Sequence, residues 1–112
     1  MSTDKLLVVL CTCPNAEVAR TLANTIVEER LAACVNLLPG ITSVYRWAGN
    51  VETSAEHLLI IKTHASVYQA LEDCLTKHHP YHIPEVIALH IAHGLPNYLN
   101  WIIESVNYQE VA

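Results

Sequence analysis

Lys5-Leu6-Leu7-Val8-Val9-Leu10-Cys11-Thr12 is the stretch on which the fold turns. Its length and content are those of a β-strand, yet apolar residues fall on both faces. Leu7, Val9 and Cys11 lie on one side, Leu6, Val8 and Leu10 on the other. A strand of that kind must be covered from two sides. Pro14 and Asn15 end it and start a helix, for which Asn15 is a good cap and Glu17 suits the positive dipole end. Val18, Leu22, Ile26 and Val27, with Ala19 and Ala23, form an apolar stripe at helical spacing.

Working outward, Ala33 to Leu38 reads as a second strand, bent at Pro39-Gly40 and resumed from Ile41 to Ala48. Gly49-Asn50 is a two-residue hairpin signal. Glu56 to Thr63 returns as a third strand with the same two-faced pattern, Leu59 and Ile61 against Leu58 and Ile60. Ser66-Val67-Tyr68-Gln69 matches a capping box and predicts a second helix with Val67, Leu71, Cys74, Leu75 and His78 inward, stopped by Pro80. Val86 to Ala92 is a fourth strand. Gly94-Leu95-Pro96-Asn97 breaks the chain, and Tyr98 to Val106 is a terminal helix with Leu99, Ile102 and Ile103 inward.

The order β-α-β-β-α-β with right-handed crossovers is an α+β, ferredoxin-like sandwich carrying an extra C-terminal helix, one domain over residues 1–112. Both crossover helices lie on one face of such a sheet. The other face then presents an apolar patch too large for a monomer, and an obligate homo-oligomer is expected. The bent second strand and its hairpin, bearing Tyr45, Arg46 and Trp47, look built to reach a neighbour; the alternative use of Trp47 is as a local hairpin staple.

Composition agrees. Of 112 residues, 52% are hydrophobic and only 15% charged, with mean hydropathy +0.26. That is apolar for a chain this short. Its longest apolar run, Leu6 to Cys11, falls far below the roughly 18 residues that span a bilayer and lacks the pattern of a secretory signal. Membrane insertion is therefore not expected, and a cytoplasmic location is. The net charge is −5, and the six Lys and Arg residues are scattered, so no basic stripe exists for nucleic acid. Cys11, Cys13, Cys34 and Cys74 show no CxxC spacing and should be thiols in a reducing compartment.

The chemistry-bearing run is His78-His79-Pro80-Tyr81-His82-Ile83-Pro84-Glu85, three imidazoles in five positions on a connector stiffened by two prolines. In this topology the first strand and the second crossover helix run the same way. Cys11 and His78 to His82 therefore reach the same edge, and thiolate with imidazole suits copper or zinc. Structural readings stand beside this: His78 as a hydrogen-bonded core residue, His79 meeting the helix dipole, Cys11 as a buried apolar group. Cys11 and Cys13 are expected to face opposite ways and not to chelate together. His57, His64, His90 and His93 are read as surface or satisfied core residues. No Gly-rich phosphate loop, paired catalytic acid or Ser-His-Asp set is evident, so no enzyme is expected.

Taken together, Cys11-Thr12-Cys13-Pro14, Glu29-Arg30-Leu31-Ala32-Ala33-Cys34-Val35-Asn36, Pro39-Gly40, Tyr45-Arg46-Trp47-Ala48-Gly49, Lys62-Thr63, His78-His79-Pro80-Tyr81 and Ile83-Pro84-Glu85 resemble the CutA family of divalent-cation tolerance proteins over nearly the whole chain. The resemblance implies a homotrimer joined through intersubunit β-sheet, tolerance to copper or another divalent cation, and copper ligands at Cys11, His78 and His79. His82 is a further candidate: it stands where the family usually has Glu, and His90 stands where Pro is usual. The family is also similar in fold and assembly to the PII signal-transduction proteins. That implies an alternative use of an intersubunit cleft, lined by Trp47, Glu56, Lys62, Tyr81 and Glu85, for a small anion or metabolite, against a Lys62–Glu85 ion pair tying subunits together. The short hairpin offers no PII-like effector loop.

Overall fold

The computed structural model describes residues 5–108; the two ends of the expected domain lie outside them. Eight residues of two-faced apolar sequence form β1 (Leu6–Cys13). The chain continues through α1 (Ala16–Glu28), β2 (Cys34–Trp47), β3 (Asn50–His64), a 3₁₀ turn (Ala65–Val67), α2 (Tyr68–His78), β4 (Val86–His90) and α3 (Pro96–Ser105). The sheet is antiparallel throughout, in the order β2-β3-β1-β4. This is the expected ferredoxin-like α+β arrangement, with β1 at its centre beside β3 and β4.

Local chemistry accounts for most boundaries. Asn15 accepts the Val18 N–H at 2.9 Å, so α1 begins where its cap predicts. The helix ends in a Schellman turn: Arg30, at φ 58°, takes the left-handed position usual for Gly, and the Leu31 and Arg30 amides donate to the carbonyls of Ile26 and Val27. Arg30 then fastens α3, donating from its guanidinium to the Glu104 carbonyl at 3.0 Å and accepting the Asn107 amide at 2.9 Å.

Three expectations need correcting. The hairpin turns on Ala48-Gly49, one residue earlier than Gly49-Asn50: both residues have positive φ (50° and 82°), and Trp47 pairs with Asn50. The long ladder behind the turn sets the register, leaving an alanine in a conformation that asparagine or glycine prefers. The second helix is not opened by a capping box at Ser66. A 3₁₀ turn comes first, its cap being His64, whose Nδ1 accepts the Ser66 N–H at 3.0 Å. Finally, α3 begins with Pro96 at its first turn, where a missing amide proton costs nothing.

The helix-side core joins Leu7, Val9, Cys11, Cys13, Leu59 and Ile61 of the sheet to Leu22 and Ile26 of α1 and Leu71 and Leu75 of α2. On the opposite face, α3 covers one end of the sheet, packing Ile102 and Ile103 on Leu6. Beyond it, Val8, Leu10, Leu58 and Ile60 stay half-buried while Leu38, Ile87 and Leu89 are exposed. The β2–β3 hairpin runs on past the sheet as an arm, and the chain measures 46 × 25 × 25 Å.

Replacing Ala48 by Asn should relieve the left-handed strain and raise stability by about 1 kcal/mol. Urea unfolding that shows an unchanged or lower midpoint would contradict this account of the turn.

Candidate metal centre

β1 and α2 run in the same direction, so the strand delivers Cys11 and Cys13 to the edge where the helix delivers His79. The three side chains are all buried, and one ligand atom from each lies within 4.8 Å of the others. Both cysteines are free thiols. The expectation that they diverge is wrong: a strand returns to the same face every second residue, so positions 11 and 13 point together toward the helices. This alternation was the signal available in the sequence, misapplied by one step.

His79 holds the corner. Its Nε2 donates to the Thr12 carbonyl at 2.8 Å and its Nδ1 accepts the Tyr81 amide at 3.1 Å. Those two partners require the neutral Nε2–H tautomer. The ring thus ties the end of β1 to the connector after α2, and its centroid lies 4.8 Å from that of Tyr81.

The two thiols shift each other's acidity in opposite directions. The hydrogen bond from Cys11 holds Cys13 below the usual thiol range, against opposition from burial and the Glu56 carboxylate. Cys11, giving that bond, is pushed far above it, with burial and the negative charges of Cys13, Glu85 and Glu56 adding to the effect. A cation between the sulfurs would favour loss of both protons.

The other candidates lie elsewhere. His78 is not on the buried stripe: it ends α2 overhanging the core, exposed, with its Nδ1 donating to the Cys74 carbonyl at 2.9 Å. It lines a recess with Asn15, Glu17 and Thr21 and is not one of the clustered Cys11, Cys13 and His79. His82 is exposed and lines a groove of about 830 Å³ beside the cluster, with Trp47, Glu56, Tyr81 and Glu85. Four of the five expected cleft residues thus meet within one subunit. Glu56 is only 7% exposed and accepts a 2.7 Å hydrogen bond from the Tyr81 hydroxyl. That bond and, more strongly, burial raise the Tyr81 hydroxyl above the ordinary phenol range. Lys62 is not in the groove: its Nζ donates to Asn36 Oδ1. Within the single chain it forms no ion pair with Glu85 among the described residues; the expected pair is one between subunits. Two carboxylates and no lysine line the groove within this chain.

An antiparallel α+β sandwich with a buried thiol–imidazole cluster where β1 and α2 end is the class that fold and site define. Residues 7–105 match the family model described as CutA1 divalent ion tolerance protein, and the chain belongs to that family. It is 51% identical over 98 residues to the divalent-cation tolerance protein CutA of Thermus thermophilus, covering 88% of this chain and 95% of that protein. Against Protein CutA of Mus musculus it is 50% identical over 91 residues, covering 81% of this chain but only 51% of the longer mouse protein. The crystal structure of CutA1 from Oryza sativa superposes with a TM-score of 0.92 at 49% identity, covering 96% of this chain and all of that one.

If His79 is chiefly a structural tie, His79→Ala should cost about 1–3 kcal/mol, the price of stranding the Thr12 carbonyl and the Tyr81 amide. Denaturant unfolding of the metal-free variant reads this directly, and wild-type stability would refute the tie.

Proposed function

We propose that this protein binds a soft or borderline metal ion, copper foremost, through Cys11, Cys13 and His79, and serves in tolerance of divalent cations without catalysing a reaction. The convergence of the three donors within 4.8 Å carries the reading. Two thiolates and an imidazole suit Cu(I) or Zn(II) better than hard cations such as Mg(II). The printed names of the relatives, divalent-cation tolerance proteins, support the same reading. The residues fit an ion on one condition. Both nitrogens of His79 already hold backbone partners, so ligation gives up one of those two hydrogen bonds. A reducing, cytoplasmic setting accompanies the proposal and is supported by four free thiols.

Assembly is part of the proposal. The apolar face left by α3, continuous across Val8, Leu10, Leu58 and Ile60 to the exposed Ile87 and Leu89, would be covered by further copies of the chain in a homotrimer. The arm that carries Tyr45, Arg46 and Trp47 past the sheet, and the unpaired outer edge of β2, offer the means for intersubunit β-sheet.

Chelator-buffered Cu(I) titration of the metal-free protein should find one tight site per subunit, lost in a Cys11→Ser, Cys13→Ser double variant and retained in His78→Ala. Binding should weaken with acid, because protons compete for the sulfurs. Proton release should accompany binding, because each thiol must be ionised to hold the ion. Weak, multiple binding that survives loss of both cysteines would end this reading. Separately, Leu58→Asp on the open face should give monomers in sedimentation equilibrium, whereas Leu59→Asp, at 0% exposure in the core, should unfold the chain. A folded, trimeric Leu58→Asp protein would remove the interface from that face.

A further inference from the structure

Directly opposite Cys13 in the β1–β3 ladder stands His57. Residues paired in this way point to the same face of the sheet, with Cβ atoms about 4.5–5.5 Å apart. His57 therefore faces the helix layer beside the thiol pair. Its Nδ1 is buried and has no hydrogen-bond partner among the described residues. Native structures seldom leave a buried imidazole nitrogen unbonded, and such an atom calls for an occupant. The sequence offered no reason to single it out, because its nearness to Cys13 comes from register and not from spacing along the chain.

We propose that His57 is a fourth donor, completing a two-thiolate, two-imidazole set with Cys11, Cys13 and His79 that takes a tetrahedral d10 ion, Zn(II) or Cu(I). The inference rests on the metal reading of the cysteine cluster and adds to it the donor that closes the coordination sphere. Three protein donors leave a fourth position for solvent or substrate; four close the site as a structural or storage centre. His57 is not one of the compact trio, so ligation requires its ring to turn toward Cys13. The cross-strand Cβ spacing is short enough for a sulfur and a ring nitrogen to share one ion at about 2.0–2.3 Å after a change of rotamer. No proton need move at that nitrogen if it holds the lone pair, so ligation there costs no backbone hydrogen bond, in contrast to His79.

The test uses Co(II) as a spectroscopic substitute on the metal-free, full-length protein. The wild type should give intense tetrahedral visible bands together with a thiolate-to-cobalt charge-transfer band in the near ultraviolet. In His57→Ala and in the bulkier His57→Phe the charge-transfer band should persist, while the visible bands move and affinity falls by about 100-fold. Loss of outer partners alone costs 10–100-fold, and a lost ligand should cost at least as much. Circular dichroism checks that each variant is folded. Wild-type spectra and affinity in both variants would overturn the role of His57 and leave the cysteine site standing. A wild type without a thiolate charge-transfer band would overturn the metal reading itself, and the fourth donor with it.

Discussion

The parallel course of β1 and α2 is the constraint on which the site depends. A strand that enters the centre of the sheet and a helix that crosses back over it end at one edge only because β3, running the opposite way, lies between them in the chain. His79 then fixes that convergence by bridging the Thr12 carbonyl and the Tyr81 amide. The same imidazole thus sits in the cysteine cluster and supports the connector that forms one wall of the groove. A change at its nitrogens bears on both.

Electrostatics gives the cluster its character. Two buried sulfurs beside Glu56 and Glu85 form a negative pocket with no lysine or arginine hydrogen-bonded to it among the described residues. In such a pocket protons and a metal ion would compete for the same sulfurs, which would tie the proposed affinity to pH. Selection for a soft ion follows from sulfur, and not from charge alone.

Much of the fold was legible because its signals are local. The Asn15 cap, the apolar stripe of α1, the bend at Pro39-Gly40 and the alternation of β1 and β3 each express chemistry within a few residues. The misreadings lay where a longer-range term outweighed the local one. Ladder register moved the hairpin turn onto Ala48. A 3₁₀ turn passed the cap from Ser66 to His64. His78 matched the buried spacing of α2, but the helix ends at that residue and leaves it overhanging.

By itself the sequence determined the strand and helix order, the family likeness, and the need to cover both faces of β1, since these depend on side-chain type and period along the chain. Only the tertiary structure decided which donors meet. It selected His79 over its neighbour His78, joined Cys13 to Cys11, kept Lys62 out of the groove, and set His57 opposite Cys13. Those outcomes depend on register, crossover direction and the residue at which a helix stops. Each is fixed by packing between segments far apart in sequence, where local pattern carries no record of the partner.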